Sequence, residues 1–132
     1  MSSKTILAIE TSSSICGVAV IHNNEVLSIE EKDVRRKHAE LLPALTKASL
    51  SNINITLDNI DAIAISIGPG SFTGLRIGLG FSKGIAYAKD LPIIPVPSML
   101  SLAYSLREYE PKQGILHSHA NKVFFQTFRW EN

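Results

Sequence analysis

The sequence lacks several features that particular protein classes require. It has a single cysteine, Cys16, so no disulfide can form within the chain, and this suits a reducing compartment. The formal net charge is +1, which gives no overall attraction to nucleic acid. No apolar run approaches the ~20 residues of a membrane helix, and Glu10 interrupts the apolar start too early for a secretory signal. These absences predict a cytoplasmic protein with no membrane partner.

The chain does contain enough apolar material for a packed core. Of its 132 residues, 45% are hydrophobic and 19% are charged, which is typical of a globular protein. Three short β-patterned runs open the chain as a meander, and helical and strand patterns then alternate. This alternation predicts an α/β fold, a mixed sheet in βββαβαβα order with helices on its faces. The order is typical of a ribonuclease H-like lobe of the actin-like ATPase superfamily.

One segment, residues 67–84, holds six of the eight glycines although its pattern is helical. Glycine costs a helix about 1 kcal/mol relative to alanine, so these residues need a reason. Their spacing fits neither a P-loop nor a G-x-G-x-x-G loop, although a strand–loop–helix turn can bind an anion. Helical geometry instead aligns small residues in two stripes, which are Gly74, Gly78, Ser82 and Ala86, and Gly80, Gly84 and Ala88. Such stripes allow close approach by another backbone, either the chain's own sheet or a partner protein.

Five motifs give the sequence a specific resemblance. They are "ILAIETS", "CGVAV", "HAELLP", "GPGSFTGLRIG" and "LPIIPVPSM", in this order along the chain. Together they resemble the TsaB (YeaZ) family of the glycoprotease-like superfamily. The resemblance implies a non-catalytic scaffold and dimerisation subunit of the machinery that makes threonylcarbamoyladenosine at position 37 of tRNA. Such a subunit would bind a TsaD-type catalytic subunit, help recruit a TsaE-type ATPase, pair with a second copy when isolated, and reach tRNA only through the complex.

The resemblance also implies that the first two helices make the partner contact. Carried over to this sequence, the contact residues are Leu41, Leu45 and Ala48 on the first helix and Gly74, Gly78 and Ser82 on the second. If that stripe faces outward, Gly78→Leu should break pairing while the monomer stays folded, because leucine is an acceptable helix former.

Catalytic relatives of the TsaD type carry a metal-binding H-x-x-x-H motif after the segment that corresponds to "LPIIPV". The two histidine positions are Ser98 and Leu102 here, and neither side chain can replace imidazole. We therefore expect no metal, no cofactor and no catalytic residue. The rival hypothesis is a stand-alone nucleotide hydrolase or metallo-glycopeptidase, which would need a metal site or paired phosphate loops. Glu10, Gly70 and Ser71 are the residues that could contact a nucleotide or another anion.

Two further clusters have alternative interpretations. Arg35, Arg36, Lys37 and His38 form a basic run that either contacts RNA phosphates or is a solvated loop. His117 and His119 would share one face of a strand, but two ligands are too few for a metal site.

The end of the chain predicts a boundary. Residues 92–96 predict a buried strand and residues 97–109 predict a helix. The stretch "EPKQG" that follows has the composition of a linker. We expect an N-terminal lobe over residues 1–110, and residues 111–132 as the first hairpin of an incomplete second lobe. A lone hairpin is marginally stable, so it should be poorly ordered, packed against the first lobe, or paired with another chain.

Overall fold

The computed structural model describes residues 2–131, which form seven strands, three α-helices and two short 3₁₀ turns. The strands are β1 (Thr5–Glu10), β2 (Ile15–His22), β3 (Glu25–Asp33), β4 (Ala62–Ser66), β5 (Ile93–Val96), β6 (Gln113–His117) and β7 (Val123–Thr127). The helices are α1 (His38–Ser51), α2 (Phe72–Lys89) and α3 (Ser98–Ser105), and the 3₁₀ turns are Leu57–Asn59 and Arg107–Tyr109. Within residues 2–131, no helix combines the length and apolarity needed to cross a membrane.

The opening meander follows from its turn residues. Asn23 and Asn24 join β2 to β3 with φ angles of 49° and 68°, a conformation that asparagine tolerates better than most residues. Both neighbouring strand pairs are antiparallel, β1 with β2 and β2 with β3. The predicted meander is therefore present.

Five strands form one mixed sheet in the order β3-β2-β1-β4-β5, and β6 and β7 form a separate hairpin. β4 is parallel to both β1 and β5. Because β2 is antiparallel to its two neighbours, β3 runs in the same direction as β1. The strands β1, β3, β4 and β5 thus all end at one edge of the sheet, and α1, α2 and α3 begin there.

α1 and α2 cover the same face of the sheet. The register of β1 with its neighbours places Leu7 beside Val20 and Ile63, and all three residues are fully buried. Leu42 of α1 and Ala86 of α2 belong to the same buried cluster. Burial of a leucine or isoleucine side chain contributes roughly 1.5–3 kcal/mol, so this shared core is what holds the two helices on the sheet.

Two sequence expectations are wrong in detail. Residues 92–96 were expected to form a buried strand, but β5 is an edge strand in which Ile94 is 40% exposed and Pro95 is also exposed. Proline suits an edge because it cannot donate to a further strand. The last helix ends at Ser105 rather than near Tyr109, and the 3₁₀ turn Arg107–Tyr109 follows it.

The hairpin β6–β7 packs against α3, which is the second of the three outcomes expected for it. Met99 of α3 lies close to Gly114 of β6, where an added Cβ would be 3.1 Å from the Met99 Cε. The Trp130 indole N–H donates to the Pro111 carbonyl over 2.8 Å and closes the base of the hairpin. The other face stays open, with Ile115 69% and Phe125 56% exposed. The division at residues 110 and 111 remains a prediction.

We expect this hairpin to be the least stable part of the molecule. A two-stranded unit with an open apolar face buries little area, so it should open without the rest of the fold. In hydrogen exchange, the amides of Val123–Thr127 should exchange at least about a hundredfold faster than those of Leu7 and Ile63, a difference of ~3 kcal/mol in opening free energy. Equal protection of the two groups in a dilute monomer would contradict this expectation.

Candidate functional site

A polar network lies where β1 and β4 end. The Glu10 carboxylate accepts the Ser12 backbone N–H over 2.6 Å with one oxygen and the Ser66 hydroxyl with the other. Glu10 is half-buried and Ser66 is buried. The Ser66 bond joins the ends of β4 and β1, and the Ser12 bond closes the turn that follows β1, so Glu10 has a structural use.

The glycine loop between β4 and α2 is held against the turn between β1 and β2. The Ser71 N–H donates to the Ser12 carbonyl over 2.7 Å, and the Ser71 hydroxyl accepts from the Gly74 N–H over 3.2 Å as the N-cap of α2. A Cβ at Gly70 would be 2.8 Å from the Ser12 Cβ, closer than real Cβ atoms approach other atoms. Glycine is required here because the turn after β1 packs directly against the backbone of Gly70. Contact of Gly70 and Ser71 with a nucleotide is unsupported by this geometry.

Ser98, one of the two residues aligned with the metal-binding histidines of TsaD-type relatives, also has a structural role. Ser98, 4% exposed, begins α3, and its hydroxyl accepts the Gly68 N–H over 3.1 Å while its own N–H donates to the Gly68 carbonyl over 2.8 Å. Leu102 is 58% exposed on the same helix. Within residues 2–131, no three His, Cys, Asp or Glu side chains are grouped so that they could hold a metal ion.

The inner stripe of α2 faces the chain's own sheet, so the partner contact predicted for Gly74, Gly78 and Ser82 is wrong. All three residues are buried. A Cβ at Gly74 would lie under 3.0 Å from the Thr11 carbonyl oxygen, and a Cβ at Gly78 would meet the Thr11 hydroxyl and lie 3.1 Å from the Ile65 Cδ1. The glycines allow α2 to lie directly on the end of β1. Sequence periodicity identified the stripe but could not tell which side of the helix faced inward.

The outer stripe of α2 is the open one. An added Cβ would meet nothing within 4 Å at either Gly80 or Gly84. Tyr87, which is 93% exposed, lies on the same side of the helix, as do the exposed Thr73 and Arg76. Two glycines on an exposed helix face cost about 1 kcal/mol each relative to alanine, and no contact within the described chain accounts for them.

Of the three α1 residues predicted to contact a partner, one is buried in the core and two are partly accessible. Leu45 is 4% exposed and belongs to the core, so the prediction that it contacts a partner is wrong. Leu41 and Ala48 are half-buried, and helical spacing places the exposed Ala44 between them. This flank of α1 remains accessible in part.

The basic run before α1 consists of three exposed residues and one buried residue. Arg35, Arg36 and Lys37 are exposed, but His38 is 6% exposed and its Nε2 hydrogen-bonds the Ser13 carbonyl over 2.9 Å. His38 therefore ties the start of α1 to the turn after β1. Its position at a helix start, directly after charged residues, resembled a surface site, and only the tertiary contact shows otherwise.

Sequence reasoning missed Thr11. This residue is 0% exposed, and its carbonyl and hydroxyl are the atoms on which Gly74 and Gly78 pack. The only signal for Thr11 was its place at the end of β1, before a glycine-rich helix later in the chain.

The thiol of Cys16 in β2 is buried, and burial raises its pKa. A raised pKa is the direction expected of a thiol that packs in the core rather than one that reacts.

These features define a class: a ribonuclease H-like α/β domain in which Glu10, Ser66 and Ser98, at the ends of the strands, make hydrogen bonds within the fold. The solved structure of YeaZ from Pseudomonas aeruginosa superposes with a TM-score of 0.86 at 28% identity, over 97% of this chain and 61% of that one. The RuvC structure from Thermus thermophilus gives a TM-score of 0.52 at 13% identity, over 76% of this chain and 69% of that one, which shows the fold alone. The predicted fold class is confirmed.

The sequence comparisons identify the family. The model described as "TsaD: tRNA N6-adenosine threonylcarbamoyltransferase" matches residues 22–121. The tRNA threonylcarbamoyladenosine biosynthesis protein TsaB of Haemophilus influenzae is 34% identical over 95% of this chain and 54% of its own length. TsaB of Escherichia coli K12 is 35% identical over 74% of this chain and 42% of its own length. This chain belongs to the TsaB (YeaZ) family, as its motifs predicted, and it spans about half the length of the curated relatives that it matches.

Proposed function

We propose that the chain is the TsaB-type scaffold subunit of a complex that makes threonylcarbamoyladenosine in tRNA. The observation that carries the proposal is the outer stripe of α2, in a chain whose relatives bear the name of that biosynthesis. Gly80 and Gly84 give a partner helix direct access to the backbone of α2, and close approach lengthens the run of atom pairs in van der Waals contact. The partner is a TsaD-type catalytic subunit.

The contact surface is assigned to the outward sides of both helices. It comprises Gly80, Gly84 and Tyr87 of α2, with Leu41 and Ala48 on the flank of α1. α1 and α2 pack side by side on one face of the sheet, so a two-helix surface can meet two helices of a partner. The same surface can pair two copies of this chain when the TsaD-type subunit is absent. A TsaE-type ATPase would join the assembled complex in the cytoplasm, where tRNA is modified.

The chemistry is assigned to the partner. Transfer of threonylcarbamoyl to adenosine needs groups that bind the donor and stabilise charge. Here Glu10 bonds Ser12 and Ser66, and Ser98 bonds Gly68, so these strand-end groups have structural partners. Ser98 and Leu102 stand at the positions of the two metal-binding histidines of catalytic relatives. These observations support a non-catalytic role and give no support to a hydrolase or peptidase.

Co-purification tests the proposal. The chain should form a complex with a TsaD-type subunit from the same organism, with the mass of one copy of each in native mass spectrometry. An unrelated ribonuclease H-like domain serves as the control. Failure of the two chains to associate, with both shown to be folded, would refute the scaffold role.

The isolated chain should show neither metal-dependent peptidase activity nor ATP turnover above a buffer blank. The reason is that Glu10 is bonded to Ser12 and Ser66 rather than free to hold a metal–nucleotide complex. The measurement is phosphate release and peptide cleavage with and without Mg²⁺ or Zn²⁺. Turnover that co-purifies with the chain and disappears in Glu10→Ala would favour the enzyme hypothesis instead.

A further inference from the structure

Three exposed cations form the turn between β3 and α1. Arg35 and Arg36 lie in the turn itself, Arg36 has a φ of 59°, and Lys37 precedes the first residue of α1. A left-handed arginine at a turn is uncommon, and here it directs the chain back toward the sheet. The three residues are exposed and adjacent in sequence, at the edge where β1, β3, β4 and β5 end.

A second cationic group lies at the start of α2. Phe72, the first residue of α2, is 73% exposed, and the Arg76 guanidinium carbon lies 5.5 Å from its ring centre. This distance is within the range of a cation–π contact. Phe72 and Arg76 thus present a flat aromatic surface beside a positive charge.

The turn after β1, residues 11–14, connects the two groups. On one side, the Val34 N–H donates to the Ser14 carbonyl over 3.0 Å and His38 bonds the Ser13 carbonyl. On the other side, the Ser71 N–H donates to the Ser12 carbonyl over 2.7 Å. Arg35, Arg36, Lys37 and Arg76 therefore flank one short turn, and we call these four residues the basic edge.

The charges of the basic edge are available to a ligand. Within residues 2–131, none of the four cations has a carboxylate oxygen within 4.0 Å, and Lys4, Lys89 and Lys112 are the only lysines or arginines that have one. Four acidic residues lie in the same stretch, Glu30, Glu31, Asp33 and Glu40; of these, Glu30 accepts from the Asn52 side-chain amide over 2.6 Å. Glu10 accepts from Ser12 and Ser66. The positive ends of the α1 and α2 dipoles point the same way and add to the field at this edge.

We propose that the basic edge binds the phosphodiester backbone of RNA, with Phe72 stacking on an unpaired base. Four unpaired cations beside an exposed aromatic ring have the chemistry of a single-strand or loop contact. A net charge of only +1 for the whole chain means that binding is weak and confined to this edge. The choice of tRNA as the RNA rests on the proposed function, while the edge itself does not. The chain then contacts tRNA directly, rather than only through its partner.

Charge reversal with a matched control tests the proposal. The triple variant Arg35→Glu, Arg36→Glu, Lys37→Glu is compared with Lys112→Glu, Lys122→Glu, Arg129→Glu, which makes the same charge change on the hairpin and its flanks. Binding of unmodified tRNA is measured by fluorescence anisotropy from about 50 to 200 mM salt, with circular dichroism confirming that both variants fold. The edge variant should lose at least about tenfold in affinity, and its slope of log K against log salt should fall by roughly 2–3. The control should change by less than about threefold.

Additional variants distinguish loss of charge, loss of base stacking and loss of protein association as causes of weaker binding. A triple glutamine variant at the same positions should weaken binding in the same direction, and Phe72→Ala should weaken binding to tRNA more than to a fully paired RNA duplex. No detectable tRNA binding by the wild-type chain at low salt, or equal losses in the edge and control variants, would overturn the proposal. So would an edge variant that binds tRNA normally but no longer associates with the TsaD-type subunit, because the edge would then recognise protein. Lost tRNA binding by the isolated edge variant supports the proposal whether or not the chain associates with that subunit, so this result does not depend on the scaffold role.

Discussion

Gly78→Leu should strongly destabilise the monomer, while the same change two residues later at Gly80 should leave it as stable as the wild type or more so. Gly78 lies on the buried side of α2, and even a Cβ there would meet the Thr11 hydroxyl and lie 3.1 Å from the Ile65 Cδ1. A leucine would have to displace α2 from the end of β1. We expect a loss of at least about 3 kcal/mol in the free energy of unfolding, the upper end of the usual cost of overpacking, against roughly 5–15 kcal/mol for a whole domain.

Gly80→Leu is the matched control because a Cβ added at Gly80 would meet nothing within 4 Å, on the exposed side of the same helix. Leucine is a better helix former than glycine, so this variant should gain roughly 0.5–1 kcal/mol. Thermal and urea unfolding of the two variants, followed by circular dichroism, makes the comparison. A Gly78→Leu protein that unfolds at the wild-type midpoint would show that α2 does not lie on Thr11 as described.

The double variant Gly80→Leu, Gly84→Leu should be folded but defective in association. Both glycines lie on the open side of α2, where a leucine would hold a partner helix away from the backbone. Overpacking of a contact costs about 1–3 kcal/mol, and ~1.4 kcal/mol is tenfold in affinity. We therefore expect the dissociation constant for the TsaD-type subunit to rise at least about tenfold, with a similar effect on any homodimer.

Alanine at the same two positions provides the graded control. Gly80→Ala, Gly84→Ala adds one methyl group at each site and should reduce affinity far less than the leucine pair, while raising stability by about 1–2 kcal/mol in total. Sedimentation with and without the TsaD-type subunit measures both effects. If the leucine pair associates as the wild type does, the contact surface must lie elsewhere on the molecule.

The order of the strands and helices could be predicted from the sequence because it depends on local patterns. Period-two runs, two asparagines at a turn and helical spacing of leucines are short-range signals, and the observed elements follow in the order that these signals predict. The motifs did the same for the family. The burial of β5 could not be predicted, because an apolar run looks alike in a central strand and in an edge strand of which one side is exposed.

The sequence by itself determined that this chain is a TsaB-type α/β domain with small residues along two sides of one helix. Only the tertiary structure decided which side is which. Helical periodicity gives the angle between Gly78 and Gly80 but no absolute direction, and the direction depends on where Thr11 and Ile65 lie after the sheet has formed. The same holds for Glu10 and His38, whose partners Ser66 and Ser13 are 56 and 25 residues away in sequence. Such contacts form by packing of distant segments, and no local pattern records them.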